Sequence, residues 1–219
     1  MIKVLLVDDH DLVRFGVKRL LQDIQGIKVV GEASTGEEAV KLAKECIPDV
    51  VLMDVQMPGI GGLEATRKML RHNPDLKVLA LTVYGGEPYP SRLLQAGAVG
   101  YITKGCAPDE MVRAIRSVHS GQRYLSSEIA QQLALKSFTK SNNSQLDVLS
   151  ERELQIMLMI TSGQKVQDIS LKLCLSPKTV NSYRYRVFEK LGINSDVELT
   201  LLAMRMGLVE GHKVTAEEV

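Results

Sequence analysis

Asp8, Asp9, Asp54, Thr82 and Lys104 stand at the ends of four short runs rich in Val, Ile and Leu. Ile2–Val7 leads into Asp8-Asp9, Val50–Asp54 and Val78–Thr82 end on their own polar residues, and Lys104 follows Gly100–Ile102 by two positions. Like charges about 4 Å apart repel by several kcal/mol at intermediate dielectric, so three clustered carboxylates need a cation to stay ionised. A hard dication answers that need. Magnesium prefers near-octahedral oxygen ligation and combines one or two carboxylates with waters and a phosphate oxygen. Such a pocket organises phosphoryl transfer onto a carboxylate nucleophile, with the Lys104 ammonium and the Thr82 hydroxyl on the phosphoryl oxygens. Taken singly, each residue has a plainer role: Asp8 or Asp9 can cap the helix starting near Asp11, Thr82 suits any strand, and Lys104 suits any surface. The coincidence at four strand ends is what points to a site.

The elements that must position these groups alternate. Ile2–Val7, Ile27–Ala33, Val50–Asp54, Val78–Thr82 and Gly100–Ile102 read as strands buried on both faces. Amphipathic stretches near 11–24, 36–46, 61–72, 91–97 and 108–120 lie between and after them. Repeated β-α alternation with right-handed crossovers gives a doubly wound α/β sheet of five strands and five helices. Its crevice lies at the carboxyl ends of the strands, and strand order 2-1-3-4-5 makes Asp54 central. Thr35-x-x-Glu38 predicts a capping box, and Pro108-Asp109-Glu110 puts proline and acids in a first helical turn. The segment Val83–Pro90, with two glycines and two prolines, predicts an irregular loop and a short helix from Ser91.

The alternation stops after Arg123-Tyr124-Leu125. The boundaries expected are a first domain over 1–125, a linker over 126–146 with a helix near 129–136, a helical domain over 147–211 and a tail over 212–219. Ser150-Glu151-Arg152-Glu153 opens a helix to about Thr161, and a second covers Val166–Leu173. Ser176 as N-cap and Pro177 at the first position define a third to Leu191, ended by Gly192, and Ser195 caps a fourth to about Met206. Four helices with a tight turn between the second and third describe a helix-turn-helix bundle. Residues 172–190 hold five basic residues, Lys172, Lys178, Arg184, Arg186 and Lys190, against Glu189 alone, in a chain of net charge +1. The third helix thus offers donors for phosphate oxygens and short polar groups for base edges.

Both halves resemble known families. Val7-Asp8-Asp9-His10, Leu52-Met53-Asp54-Val55-Gln56-Met57-Pro58-Gly59, Leu81-Thr82 and Gly100-Tyr101-Ile102-Thr103-Lys104 resemble the receiver domain of two-component response regulators, a flavodoxin-like (βα)5 fold. The resemblance implies that Asp54 accepts phosphate from a histidine kinase. It implies Mg²⁺ on Asp9, Asp54 and the Gln56 carbonyl, with Asp8 acting through water, and makes Thr82, Tyr101 and Lys104 switch residues. Tyr101 has two plausible stations, ring exposed or ring buried beneath the Thr82 loop, and exchange between them would carry the signal. Leu149-Ser150-Glu151-Arg152-Glu153, Gly163-Gln164-Lys165, Leu175-Ser176-Pro177-Lys178-Thr179-Val180 and Lys190-Leu191-Gly192-Ile193 resemble the LuxR-type DNA-binding domain, and the combination resembles the NarL/FixJ class. That implies Asn181, Ser182 and Tyr185 toward bases and Lys178, Thr179, Arg184 and Arg186 nearer phosphates. The expected protein is a non-enzymatic, phosphorylation-activated transcription regulator that dimerises on promoter DNA and engages RNA polymerase. Phosphorylation is expected to free a recognition helix that the receiver masks at rest.

Other classes fit less well. The apolar fraction is 45% and the charged fraction 24%, as in ordinary globular proteins, and charged residues interrupt every candidate membrane span. The short apolar start followed by acids is no secretory signal, so the cytoplasm is expected. Cys46, Cys106 and Cys174 are far apart with no Cys-x-x-Cys, which indicates neither disulfides nor a zinc site. An aspartyl phosphatase would carry a second Asp where Gln56 stands, and Gly59-Ile60-Gly61-Gly62 comes too late after its strand for a dinucleotide fingerprint.

Overall fold

A computed structural model describes residues 1–83, 89–138, 146, 148–206 and 208, with the side chains of 136–138 left aside. The chain divides into two compact units, Met1–Ser141 and Asn142–Val219. In the first, β1 (Ile2–Val7), α1 (Asp11–Gln22), β2 (Ile27–Ala33), α2 (Gly36–Cys46), β3 (Val50–Met53), α3 (Gly61–His72), β4 (Lys77–Thr82), α4 (Tyr89–Gln95), β5 (Gly100–Thr103) and α5 (Pro108–His119) alternate as expected. All strand pairs are parallel, in the order β2-β1-β3-β4-β5, with a further short strand, β6 (Tyr124–Leu125), beside β5.

The two-residue period of a strand explains the two cores. Val4 and Leu6 face one side with Leu52, Leu79, Leu81 and Ile102, where Val17 and Leu21 of α1 and Met111, Ile115 and Val118 of α5 pack. Leu5 and Val7 face the other with Val51, Met53 and Val78, covered by Ala39 of α2 and Ala65 and Met69 of α3. The strands β1, β3, β4 and β5 are buried on both faces almost throughout. In contrast β2, expected to be so too, lies at the sheet edge, buries only Ile27 and Ala33 and exposes Lys28. The carboxyl ends are left to carry polar groups.

Three local expectations are refined. A sixth strand, β6 (Tyr124–Leu125), extends the sheet beyond the five expected, pairing Gly100 with Tyr124 and Tyr101 with Leu125. Two residues are too few to show a periodic pattern. The fourth helix begins at Tyr89 rather than Ser91, and residues 84–88 of the expected irregular loop lie outside the described residues. At Thr35 only half a capping box forms: its side chain accepts from the Glu38 N–H, whereas Glu38 Oε2 accepts from the Ser34 N–H at 2.8 Å.

Helix α6 (Ser127–Phe138) spans the expected 129–136, and residues 139–145 of the anticipated linker lie outside the described residues. The second unit holds α7 (Glu151–Thr161), α8 (Val166–Lys172), α9 (Pro177–Leu191) and α10 (Asp196–Arg205). Ser150 and Glu153 form a full capping box, Ser176 and Ser195 accept from Thr179 and Glu198 N–H groups, and Gly192 ends α9 at φ 66°. Ile156, Met159, Ile169, Leu173 and Val180 form the core that seats α8 and α9 against α7.

Candidate functional site

The sheet brings the sequence-distant acids to one rim. The Asp8 N–H donates to the Ala33 carbonyl at 3.0 Å and the Asp54 N–H to the Val7 carbonyl at 2.9 Å, which fixes both residues to neighbouring strands. The Lys104 N–H donates to the Thr82 carbonyl at 2.8 Å, so the last two strand ends are joined in the same way. Gly62 permits the approach of α3, because a Cβ there would lie 1.9 Å from the Asp54 carbonyl oxygen.

Lys104 Nζ lies 2.7 Å from Asp54 Oδ2 and 2.7 Å from Asp8 Oδ2. Asp54 is 2% exposed and Asp8 1%, and Thr82 and Tyr101 are fully buried. Asp54 Oδ1 accepts from the Val55 N–H at 2.7 Å and the Gln56 N–H at 3.4 Å. Burial pushes the Asp54 carboxyl up to about 6, with the charges of Asp8 and Asp9 adding to it and Lys104 opposing. Burial works to lower the Lys104 ammonium, but the charge and hydrogen bond of Asp54, with help from Asp8, leave it above its ordinary value.

Neither Asp8 nor Asp9 caps α1. His10 occupies the N-cap position without a side-chain cap bond, and Asp8 Oδ1 accepts the His10 N–H at 2.9 Å. Asp8, Asp9, His10 and Asp54 each offer a ligand atom within 4.8 Å of the others. Asp8 Oδ2 and Asp9 Oδ1 are buried yet make no aligned hydrogen bond, although Lys104 stands beside the first and His10 beside the second. Three carboxylates against one ammonium leave an excess of negative charge on oxygen donors, which is what a hard dication requires, so the donor set fits magnesium.

Two features escaped the sequence. Arg14 donates to the Asp8 carbonyl at 2.7 Å and to Asp11 Oδ1 at 2.5 Å, holding the turn between β1 and α1; its place one helical turn after His10 was the available signal. Gln56 Nε2 donates to the Tyr89 hydroxyl at 2.8 Å across 33 residues, a tie no local spacing reveals. Tyr101 takes the buried of its two stations.

In the second unit α9 buries Val180, Val187 and Phe188 and exposes Lys178, Ser182, Tyr185 and Arg186. Thr179 and Asn181 are half-buried; the Thr179 hydroxyl lies 2.8 Å from Ser176 Oγ, and the Ser182 hydroxyl donates to the Lys178 carbonyl at 3.0 Å. Arg184 donates through Nε and a terminal nitrogen to the two Asp196 oxygens at 2.7 and 2.5 Å, with its guanidinium 5.4 Å from the Phe188 ring centre. That pair uses two of the five guanidinium N–H groups.

Comparison with known proteins bears on both units. Residues 4–116 match the response regulator receiver domain, and residues 147–203 match the LuxR family of bacterial regulatory proteins. This chain belongs to the two-component response regulators with a LuxR-type domain. This response regulator is 69% identical to response regulator GacA of Pseudomonas syringae pv. syringae over 211 residues, 96% of this chain and 99% of the relative. It is 61% identical to response regulator UvrY of Escherichia coli K12 over 218 residues, 99% of this chain and 100% of the relative. Among solved structures, one of two RcsB dimers bound to two parallel DNAs aligns at TM-score 0.60 and 25% identity, covering 95% of this chain and 99% of that one. The family is one of transcription regulators. No helix among the described residues of this response regulator is long and apolar enough to cross a membrane.

Proposed function

We propose that Asp54 accepts a phosphoryl group from a histidine kinase, and that the modified protein dimerises on promoter DNA in the cytoplasm, reads it through α9 and acts on RNA polymerase. One observation carries this reading: the Lys104 ammonium bridges Asp54 and Asp8 at 2.7 Å each, on the rim where phosphoryl transfer needs a carboxylate beside a cation. An Asp54 oxygen attacks phosphorus, the bond from phosphorus to the kinase imidazole breaks, and the imidazole leaves with the electron pair. With its carboxyl raised to about 6, Asp54 is ionised at neutral pH and more basic than an exposed carboxylate. The Lys104 ammonium then pairs with a phosphoryl oxygen and the Thr82 hydroxyl donates to another. Asp9, Asp54 and the Gln56 carbonyl would hold Mg²⁺, with Asp8 acting through water, and the ion would supply charge neutralisation at the transferred group. Withdrawal of the Thr82 hydroxyl toward that group shifts the balance between the two stations of Tyr101 and so alters the face formed by α4 and β5.

On α9, Asn181, Ser182 and Tyr185 are assigned to base edges, and Lys178, Thr179, Arg184 and Arg186 to phosphates, with Asp196 orienting Arg184. The test compares wild type with Asp54→Asn on a promoter fragment selected from random sequence, with and without beryllofluoride and Mg²⁺. Wild type alone is expected to dimerise and to tighten about tenfold, a typical coupling. An equal response of both proteins contradicts the assignment. In a salt titration of the same complex, Lys178→Ala and Arg186→Ala are each expected to reduce the logarithmic slope by about 0.9. Unchanged slopes would remove these residues from the phosphate contacts.

A further inference from the structure

We infer that His10 is a further metal-binding residue of the acidic pocket, making it a mixed nitrogen and oxygen site for a borderline transition dication such as Co²⁺, Ni²⁺ or Zn²⁺. The inference rests on the reading of Asp8, Asp9 and Asp54 as cation ligands and extends it to a residue and a class of metal.

The imidazole stands where a ligand would stand. His10 Nδ1 lies 2.9 Å from Asp9 Oδ1 and 3.4 Å from Asp8 Oδ1, and the ligand atoms of all four residues fall within 4.8 Å of one another. In an octahedral shell with bonds of about 2.1 Å, neighbouring donors are about 3 Å apart and opposite ones about 4.2 Å. The four donors need contract only slightly to share one ion. His10 is free of the usual task of its position, since its side chain makes no capping hydrogen bond to α1. Asp8 Oδ2 is met by the Lys104 ammonium at 2.7 Å, while the Asp9 Oδ1 and Asp8 Oδ1 atoms face the imidazole. Among the described residues three carboxylates gather at the Lys104 ammonium, which leaves two negative charges for a dication to balance.

Donor type decides the metal. Carboxylates suit Mg²⁺, whereas imidazole favours Co²⁺, Ni²⁺, Cu²⁺ and Zn²⁺, whose affinities for nitrogen sites exceed those of the hard cations. Mg²⁺ keeps several waters and gains little from a nitrogen donor. His10 is mostly exposed at the mouth of the pocket, so an ion can recruit it without opening the fold.

The experiment uses the full chain without an affinity tag. Co²⁺ titration is followed by visible absorption and calorimetry, and Mg²⁺ titration by calorimetry, in wild type, His10→Ala, His10→Asn and Asp9→Asn. Both His10 variants are expected to lose at least about tenfold in Co²⁺ affinity and to shift the absorption band, while Mg²⁺ affinity changes by less than about twofold. Asp9→Asn is expected to weaken both metals. Co²⁺ affinity unchanged in the His10 variants but weakened by Asp9→Asn overturns the inference and leaves the magnesium pocket standing. If Asp9→Asn alters neither metal, the pocket itself is wrong and the inference falls with it.

Discussion

Replacing Lys104 by methionine will destabilise the metal-free first unit by about 3–5 kcal/mol, the usual result of removing one partner of a buried ion pair. The loss is large because the variant leaves Asp54 and Asp8, 2% and 1% exposed, facing each other with no ammonium between them. The sign follows from linkage. The folded protein holds the Lys104 proton more tightly than the unfolded chain, so the stabilisation is complete below the ordinary value of 10.5 and is lost only as pH rises through the higher folded value. At neutral pH the whole contribution is present. Denaturant unfolding in EDTA is expected to show the loss, and millimolar Mg²⁺ is expected to return much of it, because a dication bound only by the folded state adds its binding free energy. A midpoint unchanged in EDTA would mean that Lys104 does not neutralise the acids.

The strand-end residues were legible because a parallel sheet leaves the sequence little choice. Short apolar runs mark the strands, helical crossovers make them parallel, and the polar residue after each run must then lie on one rim, the carboxyl edge of the sheet. Asp8, Asp54, Thr82 and Lys104 came together on that logic. Long-range side-chain ties did not. The amide of Gln56 on the Tyr89 hydroxyl and the pairing of Arg184 with Asp196 depend on rotamers and on the packing of elements that spacing does not encode. The helical unit was readable from its punctuation: Ser150, Ser176 and Ser195 as caps and Gly192 as a stop mark the ends of its helices. The Thr35 box formed only in part because the preceding Ser34 N–H competes for the Glu38 carboxylate. β6 was missed because two residues pair only by completing the edge beside Gly100 and Tyr101.

Asp54→Asn will act in the opposite direction to Lys104→Met and raise the stability of the metal-free first unit at neutral pH. Burial lifts the Asp54 carboxyl from 3.8 to about 6, outweighing the Lys104 contact. Between those two values the folded state keeps a proton that the unfolded chain has released, so stability falls as pH rises through the window and the full cost is present above about 6. A shift of about two units corresponds to roughly 3 kcal/mol, which is a ceiling for the gain on removing the charge. Asparagine retains an oxygen to accept the Val55 N–H, but it presents no charge to Lys104, whose remaining partner is Asp8. The net expected gain is therefore about 1–2 kcal/mol near pH 7.5, shrinking to nothing below about pH 4. Thermal or denaturant unfolding of both proteins in EDTA across pH 4–8 reads it directly. In Mg²⁺ the order is expected to reverse, since only wild type offers the ion its full set of carboxylates. A variant less stable than wild type in EDTA at neutral pH, or a difference flat across that range, would show that Asp54 is not held at a cost by its burial.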